Sequence, residues 1–360
     1  MVTFVKSNAP FVRKETSVKR MMVDVLIALI PLVFFSIYKF GVQALIRIVI
    51  AVAVMIFVEC LVVMLRHRPH PIRVKGFKAR FIDRFKQISI LNIITPSISA
   101  IIFSMMIPAH MGIYAVIISA GLGILFGKMV FGGMGGNIFN PAAVAFIIAL
   151  ISFGSSFKYA GPDIIGSSTA LGAIGNDLAS ITNTLKDYSL LDLFLGNVPG
   201  GMGEISALLI LISGIYLFVR KAADWRIFAS FLTTFAVLMG VAAIAVGQNI
   251  IDVVLFQVLT GGLLFGAVFM ATDPVTAPVT SPGRYIYGLL LGSLVVVIRL
   301  FGSHTEGVAF AILIGNMFVP LIDYYKWSNP RLGWKVMTGL GVSLVLMALI
   351  VFAGVGGFAA

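Results

Sequence analysis

The sequence predicts an all-helical, multi-pass membrane protein whose bundle contains broken or re-entrant helices. Three observations predict it. Hydrophobic residues make up 59% of the 360-residue chain and charged residues only 11%, against about 25% charged in an ordinary soluble domain. Apolar runs of roughly 20 residues recur from end to end, each long enough to cross a hydrocarbon core about 30 Å thick. Two of these runs adjoin glycine- and proline-rich interruptions, at 132–141 and 270–284. Freed backbone N–H and C=O groups cannot face lipid, so such breaks survive at membrane depth only inside protein or along a cavity.

A basic arm over residues 1–20 comes first, with Lys6, Arg13, Lys14, Lys19 and Arg20. The first membrane half, 21–154, holds apolar segments at 21–40, 42–64, 89–108, 111–130 and 138–154. A polar stretch follows at 155–203. The second half, 204–360, holds segments at 204–220, 227–246, 253–271, 285–302, 307–325 and 336–356. The expectation is about 10–11 transmembrane helices. Pro96 and Pro108 make 89–108 a candidate for partial re-entry. The first run is too long, and too clearly followed by others, for a cleaved signal peptide.

Charge orients the chain. A second basic cluster, Arg66, Arg68, Arg73, Lys75, Lys78, Arg80, Arg84 and Lys86, follows the second segment. Basic excess beside a span marks the cytoplasmic side. That assigns the arm, the 66–86 loop and the short loops holding Arg220, Lys221, Arg226, Arg331 and Lys335 to the cytoplasm. The 155–203 stretch carries Lys158 and Lys186 against Asp163, Asp177, Asp187 and Asp192, so it reads as extracytoplasmic. The net charge of +12 is therefore a topology signal, not a nucleic-acid footprint. Binding of anionic lipid or of partner subunits is a secondary use of the basic clusters.

The first interruption, Phe131-Gly-Gly-Met-Gly-Gly-Asn-Ile-Phe-Asn-Pro141, is the most informative feature. Asn140-Pro141 suits a helix start, with Asn as N-cap and Pro in the first turn. Gly135, Gly136, Asn137 and Asn140 either wall a cofactor or ion path or simply make a tight turn with close packing. The second interruption spaces Pro274, Pro278 and Pro282 by four residues. Asp273, Thr272 and Thr276 among them could coordinate a small cation. The alternative is that Asp273 caps a helix in the headgroup zone with Arg284 as partner. Two interrupted segments in corresponding positions hint at inverted repeats around a midplane site.

Other polar residues are single signals. Glu204 follows Gly200-Gly-Met-Gly and suits a helix start. Glu59 lies within a span and is expected to face a partner or a cavity. Asn316, Pro320 and Asp323 interrupt a late helix. His304 and Glu306 are too few ligands for a metal site. Cys60 is the only cysteine, which excludes an internal disulfide and a cysteine-ligated cluster. There is no nucleophile–base pattern, Walker loop or dinucleotide fingerprint, so no catalytic residue and no metal ligand is expected.

Taken together, Gly132–Ala142, Gly200-Gly-Met-Gly-Glu204, Met270-Ala-Thr-Asp-Pro-Val-Thr-Ala-Pro278 with Gly283-Arg-Tyr-Ile-Tyr-Gly288, and Glu306–Asn316 with Pro320-Leu-Ile-Asp323 resemble the NqrB/RnfD family. The short N-terminal arm is more similar to the D subunit of the Rnf complex. The resemblance implies a membrane subunit, not catalytic alone, of a bacterial or archaeal cytoplasmic-membrane complex. That complex moves electrons between reduced ferredoxin and NAD and couples them to Na+ or H+ translocation. It implies an architecture resembling the urea transporters. Its implied partners are membrane and peripheral subunits, including a second FMN-carrying subunit and iron–sulfur subunits.

The family carries FMN, linked through its phosphate to a threonine in a pattern resembling Asp-Gly-x-Ser-Gly-Ala-Thr. Asp163 and Thr169 match at the same spacing, while Ile164, Gly166, Ser167 and Ser168 depart from it with residues that are mostly small. The resemblance thus implies covalent FMN on Thr169, with Asp163, Ser167 and Ser168 around it. It also implies a non-covalent riboflavin in the bundle. Two alternatives stand beside this reading: a subunit of the Na+-pumping NADH:quinone reductase, and a broken-helix solute channel or transporter without a redox role.

Overall fold

A computed structural model describes residues 17–70, 76–157, 159–160, 165–167, 169–175, 177–302, 306–324 and 333–358. The apolar segments are helices. α1 (Val18–Phe40) and α2 (Val42–Arg66) meet at Gly41, and α1 starts where the Ser17 hydroxyl accepts the Arg20 N–H at 3.2 Å. A short helix, α3 (Phe77–Phe85), precedes α4 (Leu91–Met106), α5 (Ile113–Ile124) and α6 (Pro141–Ser152). The polar stretch is more structured than its composition suggests. It holds an antiparallel pair, β1 (Tyr159–Ala160) with β2 (Ile165–Ser167), and three short helices: α7 (Ala170–Ile174), α8 (Ile181–Asp187) and α9 (Leu190–Leu195). The second half runs through α10 (Ala207–Val219), α11 (Trp225–Val246), α12 (Ile250–Leu259), the single turn α13 (Leu263–Phe265), α14 (Ser281–Phe301), α15 (Val308–Tyr324) and α16 (Trp334–Phe358).

Among the described residues, five helices (α1, α2, α11, α14 and α16) are long and apolar enough to cross a membrane. The predicted single span 253–271 is instead a broken pair: the chain bends by 62° between α12 and the run Leu263–Met270. The remaining apolar segments form helices of 10–17 residues. The chain is a multi-pass helical membrane protein with broken elements.

The helices pack in two groups. α1, α2, α4, α5 and α6 contact one another, as do α11, α12, α14, α15 and α16; α10 against α1 and α15 against α6 join the groups. Gly288 and Gly292 of α14 lie against the α11 backbone near Phe231, so α11 and α14 approach as closely as small residues allow. A fully buried set that includes Leu29, Phe103, Phe231, Phe265 and Tyr287 fills the interior.

The two interruptions share a local device. Each follows a π-helical turn, Leu125–Met129 before the first and Gly266–Met270 before the second. Here the N–H of Val130 reaches Leu125 O, and that of Ala271 reaches Gly266 O, each five residues back. Such turns re-aim the side chains that follow and recur at functional sites. Each interruption also ends in a helix with proline in its first turn, α6 after Asn140 and α14 after Thr280.

Candidate functional site

The fold brings the two interruptions to one place. The Asn140 side-chain oxygen accepts the N–H groups of Ala142 and Ala143 at 3.0 and 3.4 Å, capping α6, while its amide nitrogen donates to Met270 O at 3.5 Å. That last contact ties the first interruption to the second π-turn. Between them lies a partly open cavity. Its apolar wall includes Met22, Leu217, Val268 and Phe269. Its polar groups are Thr95, Ser99, Lys128, Asn137, Asn140, Thr272 and Asp273.

Not every expected residue reaches this cavity. Asn137, Asn140, Thr272 and Asp273 line it; Gly135 and Gly136 do not. Gly135 instead makes the turn, with φ +83° and open space where a side chain would start. Thr276 acts one step back. Its hydroxyl donates to Asp273 Oδ2 at 3.2 Å, while Asp273 Oδ1 accepts the Val275 N–H at 3.2 Å. The alternative reading, in which Arg284 partners Asp273, is not what the structure shows: Arg284 pairs with Asp224 and donates to Pro278 O. Asp224 at the start of α11 is simply nearer the base of α14, so Asp273 is left to the cavity.

The cavity's main cation is absent from the sequence-based expectations. Lys128, in the first π-turn, donates to Glu59 Oε2 and to Thr95 Oγ1, both at 2.6 Å. Glu59 also accepts from Asn92 Nδ2 at 3.1 Å. The sequence does carry a signal, because a lone lysine inside an apolar segment needs a buried partner. Two carboxylates and one ammonium leave one surplus negative charge when all are ionised. Such a site favours a monovalent cation or the polar edge of a ring among the Asn and Thr groups.

A second, smaller cavity lies at the opposite end of α10. Thr169, Glu204, Gly261, Gly262 and Glu306 are in its wall. Thr169 is buried and caps α7, its hydroxyl accepting the Gly172 N–H at 2.9 Å. Glu204 is not in the first turn of α10, where Ser206 is the N-cap; its carboxylate accepts the Gly201 N–H at 3.1 Å. Gly262 has φ +63°, and a Cβ there would collide with the Glu204 carboxylate. Asp163, Ser168, His304 and Arg331 lie outside the described residues, as do most of the basic arm and residues 71–75 of the 66–86 loop. Of Ser167 only the strand backbone is described.

The bend of the broken pair is held by Arg299. Its guanidinium donates to Gln257 O (2.6 Å), Gln257 Oε1 (2.9 Å), Thr260 O (3.0 Å) and Gly261 O (3.2 Å). Three of these acceptors are backbone carbonyls at or just past the end of α12, where helical partners run out. The ring of Phe235 covers the same guanidinium at 5.1 Å. The run from Gly262 to Val268 then joins the Thr169 cavity, called the outer cavity here, to the Lys128 cavity, called the inner one, about 9 Å at 1.5 Å per residue.

Late polar residues also find partners. The Tyr287 hydroxyl lies 2.7 Å from the Asn316 side chain, and Asp323 accepts from Val279 N, Thr280 N and Thr280 Oγ1. The tip of α15 thereby braces the second interruption.

A bundle with two cavities that carry polar and charged side chains, each walled by a broken helix, defines a helical membrane protein built around internal sites rather than a passive anchor. The chain belongs to the NQR2, RnfD, RnfE family, whose model matches residues 5–330. It is 30% identical to the D subunit of the ion-translocating oxidoreductase complex of Actinobacillus succinogenes, over 93% of this chain and 99% of that one. It is 31% identical to the D subunit of the proton-translocating ferredoxin:NAD(+) oxidoreductase complex of Clostridium ljungdahlii, over 91% and 95%. The D subunit of the ion-translocating oxidoreductase complex of Shewanella amazonensis is 30% identical over 90% and 97%.

Proposed function

We propose that the chain is a membrane subunit of an ion-translocating electron-transport complex, carrying FMN on Thr169 and relaying electrons between reduced ferredoxin and NAD. The names of the relatives support the complex, and the Clostridium relative's name supports the redox pair. The observation that carries the reading is the shared wall of Thr169 and the α12–α13 break, one short helical run away from a charged inner cavity.

The residues fit a tethered flavin at the attachment oxygen. Thr169 Oγ1 is a hydrogen-bond acceptor in the wall of a cavity. A phosphoester oxygen keeps a lone pair, so the Gly172 N–H can stay bonded and α7 stays capped. Gly261 and Gly262 keep the facing wall open. Bound flavin would supply one- and two-electron chemistry, which no side chain here can.

The second expected group is a non-covalent riboflavin within the bundle. In this reading Thr272, Asp273 and Thr276 belong to the Na+ or H+ path, with Lys128 and Glu59 as the charges that bound it. The N-terminus is cytoplasmic and the 155–203 stretch extracytoplasmic, in a bacterial or archaeal cytoplasmic membrane. Iron–sulfur subunits and a second FMN-carrying subunit complete the chain of carriers.

The test is in-gel flavin fluorescence of the protein expressed with its flavin-attaching machinery, beside Thr169→Val. A fluorescent wild-type band that disappears in Thr169→Val is the expected result. A dark wild-type band, with attachment working on a control protein, would overturn the flavin assignment and favour a solute channel or transporter.

A further inference from the structure

One surface lies outside both cavities. α3 is amphipathic: Phe77, Phe81 and Phe85 recur every four residues, with Ile82 beside them, and all four are exposed. Phe77 is 85% exposed. Lys78 and Arg84 flank this stripe at about 60° on either side, Arg80 lies about 100° from it, and Lys86 follows as the C-cap.

The protein holds α3 by its other side. His67 Nε2, just past the end of α2, lies 2.9 Å from Asp83 Oδ2. At 100° per residue, Asp83 lies about 160° from the middle of the Phe77–Phe81–Phe85 stripe. The anchor therefore turns the aromatic face away from the bundle. α3 also joins the ends of two membrane-embedded helices, ten residues after Arg66 and five before Leu91. It thus sits at the membrane–water boundary.

We propose that α3 is an interfacial helix that seats its phenylalanine stripe among the acyl chains of anionic lipid, with its flanking lysines and arginines at the phosphates. Charge complementarity commits the occupant: the helix has four basic residues with it and one acidic residue, Asp83, which His67 already engages. An exposed aromatic stripe edged by cations is the pattern of helices lying in the headgroup–acyl boundary, with the apolar face about 5–10 Å deep. Anionic headgroups add attraction that falls off within a Debye length. The consequence is a lipid-dependent clamp on the α2–α4 connection, and so on Glu59 and Asn92, which bond across those two helices.

The test uses the full chain within its complex, in nanodiscs of phosphatidylcholine alone or mixed with phosphatidylglycerol. In a Cys60→Ser background, nitroxide is attached at Phe81→Cys, at Phe77→Cys and, on the opposite side of α3, at Ala79→Cys. Relaxation by oxygen and by a water-soluble nickel chelate reports depth. The expected result is labels at 77 and 81 below the phosphates and a label at 79 in water. Lys78→Glu with Lys86→Glu should raise the 77 and 81 labels in phosphatidylglycerol discs. Equal nickel access at all three positions would overturn the proposal. So would labels at 77 and 81 shielded from both reagents in the complex but open in the isolated chain, which would mean a protein partner covers the stripe.

Discussion

The ammonium of Lys128 lies 2.6 Å from Glu59 Oε2, with the two side chains only 4% and 0% exposed. The residues come from a π-turn and from α2, 69 positions apart in the chain. Neither charge could be held at this depth alone. Thr95 and Asn92 take up further bonding capacity, so the pair is a small satisfied network beside the inner cavity.

Removing one partner should cost more than removing both. Lys128→Met leaves Glu59 buried with only Asn92, and breaking such a pair typically costs about 3–5 kcal/mol. Glu59→Gln with Lys128→Met removes both charges and should recover much of the loss. The order of thermal midpoints, read by fluorescence-detected chromatography in detergent, should be wild type, then the double variant, then Lys128→Met. A double variant no better than Lys128→Met would show that the pair is not coupled.

Arg299 should be hard to replace. Arg299→Met leaves the carbonyls of Gln257, Thr260 and Gly261 without their donor at membrane depth, where each unsatisfied group costs several kcal/mol. Arg299→Lys keeps the charge but not the fork that reaches several carbonyls at once. Both variants should assemble poorly, Met worse than Lys. Wild-type yield and midpoint for Arg299→Met would mean that the bend holds itself.

Two glycines should separate strain from shape. Gly135→Ala meets open space and suffers only its positive φ, a cost of about 1–2 kcal/mol. Gly262→Ala adds a collision with the Glu204 carboxylate in the outer cavity. Flavin fluorescence per folded molecule should therefore fall in Gly262→Ala and stay unchanged in Gly135→Ala. Equal retention in both would detach the outer cavity from flavin attachment.

The cap of α9 should titrate. The Ser189 hydroxyl, 2.6 Å from Asp192, holds that carboxyl below the usual carboxylate range. A lowered folded value means the contribution is present above the unfolded value, about 3.9. It is lost as pH falls through the folded value. Hydrogen exchange at 190–195, corrected for its intrinsic pH dependence, should lose protection below about pH 4 in the wild type. Ser189→Ala should flatten that dependence.

Much of this is legible in the chain. Asn140-Pro141 announces the start of α6, because capping is a local bond between near neighbours. The two interruptions announce internal sites, because backbone polarity in hydrocarbon obeys the same rule everywhere. Lys128 escapes a hydropathy reading because one charge barely changes the average over a 20-residue window. Proximity in sequence pairs Arg284 with Asp273, whereas Asp224 is nearer in space.

By itself the sequence determined the helical membrane character, the places where helices must break and which residues carry polar chemistry. These follow from hydrophobicity, propensity and capping, which act along a few neighbouring residues. Only the tertiary structure decided that Lys128 meets Glu59, that Arg299 closes the end of α12, and that Thr169 shares a wall with Gly262. Those pairings depend on how helices distant in sequence pack, where small residues permit close approach and buried charges accept only satisfied geometries.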